Sequence, residues 1–88
     1  MQVILCNVQM FSNNQMVQVF DTEENRIVYT QKVDMEDLTP MICALASKLG
    51  IQEVRLAGTT NYVLPYVEEI KTAYSLNYGN NIINVEVM

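Results

Sequence analysis

The chain has 88 residues, half of them hydrophobic, with five Lys and Arg against ten Asp and Glu and a net charge of −5. That length and composition make one packed domain, residues 1–88, and exclude a second core or a disordered chain. The acidic balance, without a basic run, argues against DNA or RNA as a partner, because phosphate contacts rest on Lys and Arg.

No apolar run approaches the roughly 20 residues needed to cross a bilayer, so no membrane role is expected. The start, Met1-Gln2-Val3-Ile4-Leu5-Cys6, lacks the basic region and cleavage site of a signal peptide and reads as a first strand. The chain has no His, which removes the commonest general base and transition-metal ligand. Cys6 and Cys43 are too few for a zinc site and read as buried, reduced core residues. The expectation is a cytoplasmic protein with no cofactor and no metal.

Residues 2–11 alternate as a strand, with Ile4, Cys6, Val8 and Met10 on one face and Val3, Leu5, Asn7 and Gln9 on the other. Both faces begin apolar, as in a central strand. Ser12-Asn13-Asn14 is a turn, and residues 16–20 form a second strand. Asp21 to Asn25 make the next turn, and residues 26–33 a third strand, completing an antiparallel meander.

The period then changes. Thr39 followed by Pro40 marks a helix start, with Thr39 as the cap and Leu38 placed to staple against Cys43. Residues 35–37 fit an extra turn ahead of it. Ile42, Leu45, Ala46 and Leu49 recur at helical spacing, and Gly50 supplies the stop. Residues 53–57 are a short fourth strand. Gly58-Thr59-Thr60-Asn61 leads into a second helix over 62–77, with Val63, Tyr66, Val67, Ile70 and Tyr74 on one face. Pro65 points to a true start near Leu64. Residues 77–81 end that helix, and 82–88 form the last strand.

Strand–helix–strand crossovers are right-handed, so strands one, four and five run parallel and the meander supplies an antiparallel flank. This β-β-β-α-β-α-β order resembles the ribonuclease H-like superfamily over essentially the whole chain and, more distantly, one half of an actin-like ATPase domain. It implies an α/β fold with a mixed five-stranded sheet and two helices; a ferredoxin-like or other small α+β sandwich is the alternative. No sequence motif accompanies the order of elements.

In nucleases of that superfamily an Asp within the first strand, a Glu on the first helix and an Asp after the fourth strand hold two divalent ions, which need clustered negative charge. The nearest polar residue in the first strand here is Asn7. The first helix, residues 40–49, has no acidic residue, and Gly58-Thr59-Thr60-Asn61 follows the fourth strand. No catalytic residue is therefore assigned. Glu36 and Asp37 read as a solvated helix start facing the macrodipole. The turn Phe11-Ser12-Asn13-Asn14-Gln15 lies where an actin-like domain keeps a phosphate-binding hairpin, but it lacks Gly.

Gly58, Thr59, Thr60 and Asn61 are the candidate ligand contacts, at the carboxyl end of a parallel strand and the amino end of a helix. The same residues also serve ordinary helix capping. Tyr62 and Tyr78 flank the second helix and are candidate interface residues, or core filler. The last strand reads as a long apolar edge guarded only by Glu86, so Ile83, Val85 and Val87 are candidates for pairing with another chain. The expected function is a non-enzymatic protein-interaction module on a ribonuclease H-like scaffold, homo-oligomeric or binding a basic protein. A small accessory or inhibitory protein of a phage or mobile element would fit. A ligand or nucleotide binder using 58–61 and a divergent metal-dependent nuclease are the alternatives.

Overall fold

Alternating apolar residues in the first segment place it at the centre of the sheet. In the computed structural model, which describes residues 1–79 and 82–88, strand β1 (Gln2–Asn7) pairs antiparallel with β2 (Asn14–Asp21) and parallel with β4 (Glu53–Ala57). β3 (Arg26–Asp34) pairs antiparallel with β2, and β5 (Asn84–Val87) parallel with β4. The order is β3-β2-β1-β4-β5, a small α/β domain with a five-stranded mixed sheet and two helices. The ribonuclease H-like arrangement is thus the one adopted, rather than the ferredoxin-like alternative.

One face of the sheet holds the main core. Ile4, Cys6 and Val8 from β1 and its extension meet Val17 and Val19, Val54 and Leu56, and Ile83 and Val85. Helix α1 (Leu38–Leu49) adds Leu38, Ile42, Leu45 and Ala46; α2 (Thr60–Tyr78) adds Val63, Val67, Ile70 and Tyr74. Val3, on the opposite face of β1, is buried outside that cluster.

Several boundaries move, each for a tertiary reason. β1 ends at Asn7 rather than residue 11, because Gln9 and Ser12 turn back toward Gln15. β3 runs on to Asp34, and Met35 donates its N–H to the Asn13 carbonyl at 2.7 Å. A single 3₁₀ turn, Met35–Asp37, then feeds directly into α1. The helix therefore starts at Leu38, whose side chain is fully buried, and Thr39 lies inside it instead of capping it. Burial of Leu38 outweighs the local cap. Gly50 ends α1 as expected: at φ 67° its N–H turns back to Ser47, and Ile51 donates to the Ala46 carbonyl at 2.9 Å.

Helix α2 begins at Thr60, earlier than Pro65 implied, and carries that proline in its second turn. Pro65 is exposed, so water can reach the backbone carbonyl it leaves without a donor. The expected helix end over 77–81 narrows to Tyr78 and Gly79, with residues 80 and 81 outside the described ones. Among the described residues no helix is long and apolar enough to cross a membrane.

Candidate functional site

The carboxyl ends of β1 and β4 meet at one rim, where crossovers of this kind gather their functional loops. The closest approach there is made by packing. Val8 donates its N–H to the Ala57 carbonyl at 2.8 Å, extending the β1–β4 pairing by one residue. At Gly58 the backbone takes φ 142°, and an added Cβ would lie 2.6 Å from the Val8 carbonyl oxygen and 2.9 Å from Val63 Cγ2. Glycine is required at 58 by this contact, independently of any ligand.

Gln15 secures the next loop. Its amide nitrogen donates to the carbonyls of Gln9 (3.0 Å) and Ser12 (3.2 Å), while its Oε1 accepts from the Gln9 N–H at 2.7 Å. Only 1% exposed, it closes the 8–14 connection, at the place of the phosphate-binding hairpin that the actin-like resemblance implied. Phe11, at the tip, is fully exposed. Gln15 shares the inward parity of Val17 and Val19, a signal present in the sequence once the second strand is begun one residue earlier.

Gly58, Thr59, Thr60 and Asn61 are all exposed. Thr59 occupies the cap position through its carbonyl, which accepts from Tyr62 and Val63 at 2.9 and 3.0 Å; its hydroxyl makes no capping bond. A sizeable cleft lies elsewhere on the rim. It has a volume of about 750 Å³ and runs between Asn13, the Met35–Asp37 turn, Thr39, and Tyr66 and Glu69 of α2. Burial, reinforced by the hydrogen bond the neutral phenol makes to Tyr62 and by the charge of Glu69, pushes the Tyr66 phenol up, so it stays a neutral hydrogen-bonding group.

Beside this cleft stand three exposed carboxylates, Asp34, Glu36 and Asp37, whose oxygens can come within 4.8 Å of one another. All three come from one short turn, so their proximity follows from chain continuity rather than from convergence of separate elements. They offer negative potential to a cation or to Lys and Arg side chains. At the central strand ends stand Asn7 and Ala57, paired with each other in the β1–β4 register. Neither can compensate the charge of a divalent ion.

Cys6 and Cys43 are buried free thiols, as their composition implied. Burial pushes the Cys6 thiol up to about 11; burial and then the charge of Glu69 push Cys43 up as well. Both are poor nucleophiles.

The candidate interface residues divide. Ile83 (6% exposed) and Val85 (4%) point into the core beneath α2, and Val87 is half-buried against it. The backbone edge of β5 stays open over four residues, while the side chains of Ile83 and Val85 are taken up by the core. Tyr62 and Tyr78 are half-buried and pack, with tilted rings, against Tyr66 and Tyr74, ring centroids 5.8 and 5.2 Å apart. The longer open edge is β3, nine residues with Ile27, Val28 and Tyr29 at 38%, 36% and 41% exposure.

No family model matches the sequence, and no curated protein does. Solved structures do match in fold. A protein from Bacteroides thetaiotaomicron with an actin-like ATPase fold and unknown function superposes with a TM-score of 0.65 at 16% identity, over 99% of this chain and 32% of that one. An exopolyphosphatase from Cytophaga hutchinsonii gives 0.59 at 13% identity, over 100% and 34%. The fowlpox virus Holliday junction resolvase gives 0.57 at 19% identity, over 97% and 60%. The chain thus spans about a third of the first two proteins and 60% of the resolvase. The shared feature is the fold, consistent with a ribonuclease H-like architecture.

Proposed function

We propose that this chain is a non-enzymatic protein-interaction module built on a ribonuclease H-like scaffold. The observation that carries this reading is the occupancy of the central rim. Asn7 and Ala57 stand at the ends of β1 and β4, and Gly58 is committed to contact with Val8. The open β3 edge supplies a surface for association. The test is cleavage of branched DNA, an RNA–DNA hybrid and single strands with Mg²⁺ or Mn²⁺. No turnover is expected; metal-dependent turnover that disappears in Asp34→Asn, Glu36→Gln, Asp37→Asn would overturn the reading.

A second reading, a divergent metal-dependent nuclease, is favoured by the Asp34, Glu36 and Asp37 cluster beside the large cleft and by the likeness in fold to a resolvase. Its weakness is geometric. A two-metal site needs carboxylates from separate rigid elements to hold two ions about 4 Å apart. Here one exposed turn supplies all three. The proposed ligand contacts at 58–61 require a third outcome: a melting-temperature rise with phosphates or nucleotides that is lost in Thr59→Val.

A further inference from the structure

We propose that the outer edge of β3, with the two clefts it shares with α1, binds an extended peptide strand bearing two apolar side chains four residues apart and basic residues at both ends. This deepens the interaction reading above and rests on it.

Strand β3 has β2 on one side and no strand on the other, so the outward half of its backbone N–H and C=O groups is available for ladder pairing. A strand added there gains affinity from main-chain hydrogen bonds and specificity from whatever its alternate side chains meet. Two clefts lie along that edge, between β3 and α1. One, of about 290 Å³, is bordered by Tyr29, Leu45 and Leu49 and by the cation of Lys48. The other, of about 490 Å³, is bordered by Val33, Met41 and Ala44 and by the charged Lys32, Asp34 and Asp37.

Their spacing sets the peptide pattern. Tyr29 and Val33 pair with Val19 and Gln15, both inward-facing, so the two share the helix side of β3 four residues apart. Side chains at i and i+4 of an added strand also share a face and reach the two clefts together. Between the clefts the Tyr29 hydroxyl donates to Gln31 Oε1, a polar crossing that suits a small polar residue at i+2.

Charge selects the partner. The hairpin tip at one end of β3 carries Asp21, Glu23 and Glu24; the turn at the other end carries Asp34, Glu36 and Asp37. Glu24 is engaged with Arg26 at 3.0 Å and Glu23 lies 3.6 Å from the N-terminal amine, while Lys32 and Lys48 border the clefts; the six carboxylates still outnumber these four cations along the edge. Basic residues at both ends of an incoming strand therefore meet opposite charge. A second copy meets the reverse: antiparallel β3-to-β3 pairing sets the tip of one copy beside the acidic turn of the other. Like charges in that position disfavour self-pairing and leave a basic strand as the better occupant.

The experiment titrates the full chain into a fluorescently labelled peptide, Lys-Lys-Leu-Thr-Thr-Thr-Leu-Lys-Lys, at low salt and follows anisotropy. A twin with Glu in place of every Lys, and another with Pro at the central Thr, serve as controls. Saturable binding of the Lys peptide is expected, weakened roughly tenfold or more in each twin. Ala44→Phe, a change at an exposed helix position that fills one cleft, is expected to weaken it about fivefold while leaving the melting temperature in place. Equal binding of the Lys and Glu peptides, no saturation, or an unaltered affinity in Ala44→Phe would overturn the proposal. So would dimerisation that competes with the peptide. Each of these leaves the broader interaction reading standing, because that reading falls only with metal-dependent turnover.

Discussion

The centre of the carboxyl rim and its β3 flank use their residues in opposite ways. At the centre Gly58, Val8 and Gln15 are spent on contact: a carbonyl 2.6 Å from where a Cβ would sit, and a glutamine whose side chain makes three hydrogen bonds to the loop it closes. At the flank, Arg26 to Thr30 are all exposed and the acidic turn at 34–37 has no close cationic partner among the described residues. The difference teaches that stability and surface chemistry are separable in this small domain. Substitution at the centre is expected to unfold the chain, and substitution at the flank to change only what it binds.

The sharpest way to break that contrast is Gly58→Ala. Left-handed strain and overlap with the Val8 carbonyl together are expected to cost about 3 kcal/mol or more, read as loss of the cooperative transition in urea. A neutral result would mean that the centre can relax and is not a packing joint. Gln15→Leu comes next. It leaves the Gln9 and Ser12 backbone groups to water, at an expected cost of about 1–2 kcal/mol by denaturant midpoint. Pro65→Ala tests the helix beside the rim in the opposite direction. Restoring an N–H in the second turn of α2 is expected to stabilise by about 1 kcal/mol, part of the gain being offset by a looser unfolded chain.

The smallest effect belongs to the flank. Asp21 accepts hydrogen bonds from the N–H groups of Glu24 and Glu23 at 3.1 and 2.9 Å, and these bonds, with the N-terminal amine and Arg26, hold its carboxyl below the usual range. A lowered folded pKa contributes stability above the unfolded value, and that contribution disappears as pH falls through the folded one. Asp21→Asn is therefore expected to lower the denaturant midpoint slightly at neutral pH, with the difference from the parent chain closing as pH falls through the folded pKa. A large shift at pH 7 would place the hairpin tip among the structural joints instead.

The order of elements was readable because alternation and helical spacing report which side chains meet the core, and those meetings dictate the sheet. Where reading failed, the determinant was a contact in the folded chain rather than the preference of the single residue. Leu38 is drawn into the core and moves the helix start ahead of the Thr39-Pro40 signal. Pro65 sits inside α2 because the Thr59 carbonyl already nucleates that helix through Tyr62 and Val63. The last strand is the sheet edge its position implied, yet its Ile83 and Val85 are apolar because α2 covers them, not because they await a partner. The broader open edge is β3, whose mixture of Ile27, Val28, Thr30 and Lys32 gives no such apolar run. A sequence reports hydrophobicity; it does not report which side of a strand is covered.

Hydrogen exchange resolved to single amides, with and without the Lys-flanked peptide, tests the contrast most directly. The account predicts slow exchange in β1 and β4 under both conditions. The outward amides of Arg26–Asp34 should exchange fast in the free chain and slow when the peptide is present. Protection gained at β5 instead, or at no strand edge, would contradict it.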